Sequence, residues 1–155
     1  LLHFTYEWSG KNYIVGLFSA VNESTWEHLK LIFFPMLLLT LWDLFYNPAK
    51  DEYFIQARTI GILCGMASIV ALFYTLWGIL GRLYEWLNIS LFFVGVFVAF
   101  WVEKKAYKCK PVVNSFTCFT ILFYFLFGFI AFTKNSPDMG IFYDFAKIGP
   151  NDYFQ

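Results

Sequence analysis

Four runs of this chain, at about residues 29–45, 59–80, 87–102 and 112–133, are apolar for long enough to cross a lipid bilayer as helices. A bilayer core about 30 Å thick needs roughly 20 helical residues, because each residue advances the helix by only about 1.5 Å. Lipid offers no partner to a free peptide group, so each run is expected to close its hydrogen bonds within itself as an α-helix. Composition agrees: 14% of the 155 residues are charged and 59% are hydrophobic, where a soluble domain carries roughly 25% charged residues. The expected fold is therefore all-α, a polytopic transmembrane helical bundle with four complete spans. Nothing divides the chain, so residues 1–155 read as a single integral membrane domain. The third run is short enough that Trp86 and Trp101 are expected at its two interfaces. The chain opens on Leu1-Leu2-His3 without an initiator Met or a basic n-region, so residues 1–4 are expected to be the end of a truncated first helix.

Orientation follows from where Lys and Arg collect, since positive loops stay on the cytoplasmic side during insertion. The connection 103–111 carries Lys104, Lys105, Lys108 and Lys110 against Glu103 alone. Alternating sides from there puts the 46–58 connection inside as well. The first loop (6–28), the turn at 81–86 and the C-terminus then lie outside, where Lys11, Lys30, Arg82, Lys134 and Lys147 are scattered. The 11 basic and 11 acidic residues cancel, so no global field argues for nucleic acid or an anionic substrate. The partners expected are the lipid bilayer and either a second copy of the chain or another membrane protein. Cys64, Cys109 and Cys118 are isolated and lack any CxxC or Cys/His ligand spacing, which argues against a disulfide framework or a structural zinc site.

Packing faces are visible inside the spans. Ala57, Gly61 and Gly65 recur every four residues, and Gly95 and Ala99 repeat the spacing on the next span, so small side chains line stripes where two backbones can approach. Packing inside one bundle accounts for them more simply than an oligomer interface. Pro35 falls within the 29–45 run and is expected to kink it. Asp43 is the most isolated charge in the apolar runs; it must pair, with Arg58 as the candidate, or reach the interface.

No HExxH, GxSxG, P-loop or GxGxxG motif is present. The informative polar stretch is Val21-Asn22-Glu23-Ser24-Thr25-Trp26-Glu27-His28, which gathers two carboxylates and an imidazole at the start of a span. Ser24 followed three residues later by Glu27 is a capping box, in which each side chain satisfies a backbone N–H of the first turn. Capping leaves Glu23 and His28 unexplained. The topology puts His3, Glu7, Arg82, Glu85, Asp138 and Asp144 at the same membrane face, so Glu23, Glu27, His28, Arg82, Asp138 and Asp144 form a candidate polar site. Carboxylates and an imidazole there can hold a divalent cation, relay protons or grip a polar headgroup. The tail, 134–155, is expected to fold back on this face, because Met139, Ile141, Phe142, Tyr143 and Phe145 are too apolar to stay in water. At least one of residues 138–144 is expected beside Glu23, Glu27 or His28.

The run Gly16-Leu17-Phe18-Ser19-Ala20-Val21-Asn22-Glu23-Ser24-Thr25-Trp26-Glu27-His28-Leu29-Lys30, the segment Leu72-Phe73-Tyr74-Thr75-Leu76-Trp77-Gly78-Ile79-Leu80-Gly81 and the tail 132–144 resemble a family of small bacterial polytopic membrane proteins, the domain of unknown function 6512. The likeness spans nearly the whole chain. It brings no established activity and implies a multi-pass protein of the bacterial cell membrane. The chain departs from the family at Ser136-Pro137-Asp138, where Pro-Pro-His is the pattern, and at Leu76-Trp77, which replaces a more polar pair. Three readings follow: an outward-facing polar site that transports or senses a cation or small polar solute; a non-catalytic scaffold or partner subunit; and a membrane-embedded enzyme using the same carboxylates as acid and base.

Overall fold

The computed structural model describes residues 2–47, 53–81, 85–111, 113–133, 135–137 and 140–143, with the backbone alone at 2, 3 and 85. Among the described residues, six helices follow in chain order: α1 (Leu2–Trp8), α2 (Tyr13–Phe18), α3 (Thr25–Tyr46), α4 (Tyr53–Leu80), α5 (Glu85–Cys109) and α6 (Ser115–Phe132), then a 3₁₀ turn at Gly140–Phe142. Helices α3 to α6 are long and apolar enough to cross a membrane. Helix α6, at 18 residues, spans about 27 Å, close to the thickness of a hydrocarbon core.

Local chemistry sets the helix ends. The Ser24 side chain accepts from the Glu27 N–H at the start of α3, and the Asn114 side chain accepts from the Phe116 N–H at the start of α6. Gly81 closes α4 at a φ of 65° while its N–H donates to the Trp77 carbonyl. A left-handed residue of this kind is what glycine supplies cheaply at a helix C-terminus. Helix α3 runs through Pro35 as one continuous element.

The helices outrun the apolar spans. The stretch 103–111, read as a loop, is helical through Cys109, and α4 begins at Tyr53, six residues before the apolar run. Lys and Glu are good helix formers, so their charges end the lipid-facing span without ending the helix. The first loop, 6–28, likewise contains the end of α1 and all of α2.

Helix α4 is the hub, packing along most of α5 and touching α3 and α6. The core holds Ile32, Phe33 and Met36 of α3, Ile62, Met66 and Ile69 of α4, Ala99 of α5, and Cys118, Leu122 and Phe129 of α6. Helices α4 and α5 meet where the small residues lie. A Cβ placed on Gly61 would sit 2.6 Å from the Ala99 carbonyl oxygen, and one on Gly65 would sit 2.8 Å from the Ala99 Cβ and 2.9 Å from the Gly95 carbonyl oxygen. A Cβ on Gly95 would run into the Ile69 side chain. Together with the 0% exposure of Ala99, these distances show two backbones in near contact, as small-residue stripes allow.

Candidate functional site

The polar motif folds into two separate arrangements at the start of α3. In the first, Glu27 is 2% exposed and Lys30, one turn later, is 0% exposed. Lys30 Nζ donates to Glu27 Oε2 at 2.8 Å, to Thr133 Oγ1 at 2.7 Å and to the Gly16 carbonyl at 3.2 Å. An ammonium has three N–H donors, and all three are used. Glu27 Oε2 also accepts from the Val21 N–H at 2.9 Å. One ion pair thus ties α3 to α2, to the loop between them and to the residue that ends α6.

Two glycine and hydroxyl details make this network reachable. Gly16 is packed so closely that a Cβ there would lie 3.0 Å from the Tyr6 ring and 3.1 Å from Val21, which holds its carbonyl over Lys30. Thr133 Oγ1 accepts from Lys30 and donates to the Phe129 carbonyl at 2.6 Å. The capping arrangement is correspondingly altered. Ser24 caps the helix, but its own N–H donates to Asn22 Oδ1 at 3.0 Å, while the Glu27 carboxylate turns to Lys30 and Val21. A charged partner one turn on is a stronger attraction for a carboxylate than a neutral backbone N–H.

In the second arrangement, His28 Nε2 lies 3.5 Å from Glu23 Oε2 and His28 Nδ1 lies 2.9 Å from the Ser24 carbonyl. An imidazole nitrogen facing a carbonyl must carry hydrogen, so Nδ1–H is the donor there. His28 also borders a cleft of about 20 Å³ between α3, α4 and α5, with Thr25, Asn88, Ile69 and Phe73 among its walls. A space of that size has room for about one water.

The tail reaches this end of the bundle. Phe142 packs on Trp26 at 4.8 Å between ring centroids and on Phe132 at 5.0 Å, and Trp26 also meets Phe129 at 4.6 Å. The 3₁₀ turn therefore covers Trp26, inside the motif. Glu7 lies exposed at the end of α1, 4.0 Å from Lys11. Arg82, Asp138 and Asp144 lie outside the described residues, as do the side chains of His3 and Glu85. Among the described residues, no group of three or more His, Cys, Asp and Glu could hold a metal ion.

A second charge cluster closes the opposite end of the bundle. Arg58 of α4 donates through Nη2 to Asp43 Oδ2 of α3 at 2.9 Å and through Nε to Glu103 Oε1 of α5 at 2.8 Å. Its guanidinium also lies over the Phe54 ring at 5.0 Å. The planar fork lets one side chain bridge two carboxylates on different helices. Asp43 therefore resolves by pairing with Arg58, and Glu103, read as a loop residue, is the partner that sequence reasoning missed.

A family model described as Family of unknown function (DUF6512) matches residues 1–149, nearly the entire chain. The chain belongs to this family. No curated protein and no solved structure matches it. In this DUF6512 member, Lys30 is the principal site residue that the sequence reading passed over. Its signal was the spacing: Lys30 stands three residues after Glu27, where side chains on one helix face meet.

Proposed function

We propose that this chain is a non-catalytic multi-pass membrane protein, a scaffold or partner subunit, whose polar motif locks one end of the bundle instead of binding a cation or solute. The observation that carries this reading is the closure of the Glu27–Lys30 network. All three Lys30 donors are used inside the protein at 0% exposure, so Lys30 has no donor to spare for a ligand, and its charge offsets that of Glu27. The remaining space beside His28 is water-sized, too small for a solute. The outer surfaces of α5 and α6 expose Phe93, Phe97, Phe119, Phe123 and Phe127, which leaves them to lipid, to a second copy or to a partner's helices.

Metal analysis of the purified full chain, dialysed against divalent cations, tests this. The expected result is no stoichiometric metal and no difference in a Glu23→Ala, His28→Ala variant. One bound equivalent that the variant loses would restore the cation site and end the lock reading.

We also infer that the Arg58 end faces the cytoplasm, because Lys104, Lys105, Lys108 and Lys110 collect there. Cys109 is exposed, whereas Cys118 is buried and Cys64 partly so. A membrane-impermeant maleimide on intact cells should spare Cys109 and label a cysteine introduced at Glu7, with Cys109 reacting once the cells are opened. Labelling of Cys109 on intact cells while the Glu7→Cys site stays silent would invert the topology.

A further inference from the structure

At the Arg58 end, where the apolar part of α5 gives way to its lysines, a cleft of about 520 Å³ opens between α4 and α5, lined by Phe54, Phe100, Glu103, Lys104, Tyr107 and Lys108. That volume lies within the roughly 300–1,000 Å³ typical of small-molecule sites. We propose that this cleft seats the phosphate headgroup of an anionic phospholipid, with the phosphate between Lys104 and Lys108 and the glycerol and first acyl carbons against Phe100.

The lysines at this end divide by what they touch. Lys105 Nζ lies over the Trp101 ring at 3.7 Å, and Lys110 Nζ over the Tyr53 ring at 5.9 Å. Lys104 and Lys108 are exposed and make no ion pair among the described residues. They stand four residues apart on one helix, so their ammonium groups rise from the same face, about 6 Å apart along the axis. That spacing suits two contacts to one phosphate.

Glu103 is the carboxylate in the cleft wall; Arg58, which it shares with Asp43, lies 2.8 Å away and offsets part of its charge. Counting the described side chains of this end, five basic groups (Arg58, Lys104, Lys105, Lys108 and Lys110) stand against the two carboxylates Asp43 and Glu103. Lys50, Asp51 and Glu52, in the connection before α4, lie outside the described residues. The level of the cleft selects lipid over a free anion. Phe100 and Trp101 precede the lysines and both are exposed, so an apolar and aromatic belt lies immediately below the charges, as at a bilayer interface. The assignment rests on the bundle crossing a bilayer and is independent of the scaffold role.

The test is binding to the purified full chain in detergent, read by native mass spectrometry and thermal unfolding, with phosphatidylglycerol, phosphatidylcholine and inorganic phosphate as separate probes. Phosphatidylglycerol should bind saturably and raise the unfolding temperature, and phosphatidylcholine should do neither. A Lys104→Gln, Lys108→Gln variant should bind phosphatidylglycerol about tenfold more weakly or worse. Its lipid-free unfolding should match the parent, since both side chains are exposed. Lys11→Gln, an exposed lysine at the other end, should bind like the parent. Equal binding of phosphatidylcholine, a full shift from inorganic phosphate alone, or undiminished binding by the double variant would each overturn the assignment.

Discussion

Replacing Lys30 by methionine is expected to cost the fold about 3–5 kcal/mol, the usual result of removing one member of a buried ion pair. Methionine is one atom shorter but keeps most of the length and the apolar stem of the side chain, so little of the loss comes from packing. What remains is a Glu27 carboxylate at 2% exposure with the Val21 N–H as its remaining described partner, and a Gly16 carbonyl and a Thr133 hydroxyl without their donor. Unfolding of the purified protein in mixed detergent, followed by tryptophan fluorescence, measures the loss. Lys11→Met is the matched control: that side chain is 67% exposed beside Glu7, and exposed pairs contribute little. Equal stability of the two variants would mean that Lys30 does not hold the end of the bundle together.

The second large effect belongs to the α4–α5 contact. Gly61→Ala and Gly65→Ala should each cost about 1–3 kcal/mol by overpacking. The added methyl on Gly61 meets the Ala99 carbonyl oxygen at 2.6 Å, and the one on Gly65 meets the Gly95 carbonyl oxygen at 2.9 Å. Backbone atoms cannot step aside as a side-chain tip can, so the helices must separate. Gly78→Ala on the same helix is the contrast, because a Cβ there meets nothing within 4 Å. Relief of glycine's backbone freedom should make that change neutral or stabilising by up to about 1 kcal/mol. Matching effects at Gly61 and Gly78 would show that α4 and α5 do not approach through the small residues.

The four spans were legible because lipid imposes one secondary structure on any apolar run of sufficient length, and 29–45 or 112–133 admit no other reading. Where lipid stops imposing, legibility falls. The charges of Glu103 and Lys104 mark the end of a span, but they favour helix as well as loop, so α5 continues through Cys109. Helix α2 has six residues, too few for periodicity to register, and it stands on its Asn12 cap and on packing.

The candidate site divides in the same way. The concentration of polarity at residues 22–28 was visible, and so was Asp43's need for a partner. The Glu27–Lys30 spacing was also visible, but its meaning depends on burial: on an open helix face the pair would contribute little, and at 0% exposure it organises everything near it. The other contributors, the Gly16 carbonyl and Thr133, are 14 and 103 residues from Lys30. No local pattern carries that information, since the packing of α2 and α6 against α3 brings them together. Arg58 reaches Glu103 across 45 residues for the same reason.

The central claim is that Glu27 and Lys30 serve each other and no ligand, and a double-mutant cycle tests it most directly. Glu27→Gln, Lys30→Met and the pair together would be compared by unfolding in mixed detergent, with no divalent cation or other ligand added. Each single change strands a buried charge, whereas the double variant strands none and keeps an amide oxygen to accept from the Val21 N–H. The expected result is two strongly destabilised single variants and a double variant that recovers about 2 kcal/mol or more relative to the sum of their losses. Costs that simply add, or single variants as stable as the parent, would contradict the account and return Glu27 to the role of a binding group.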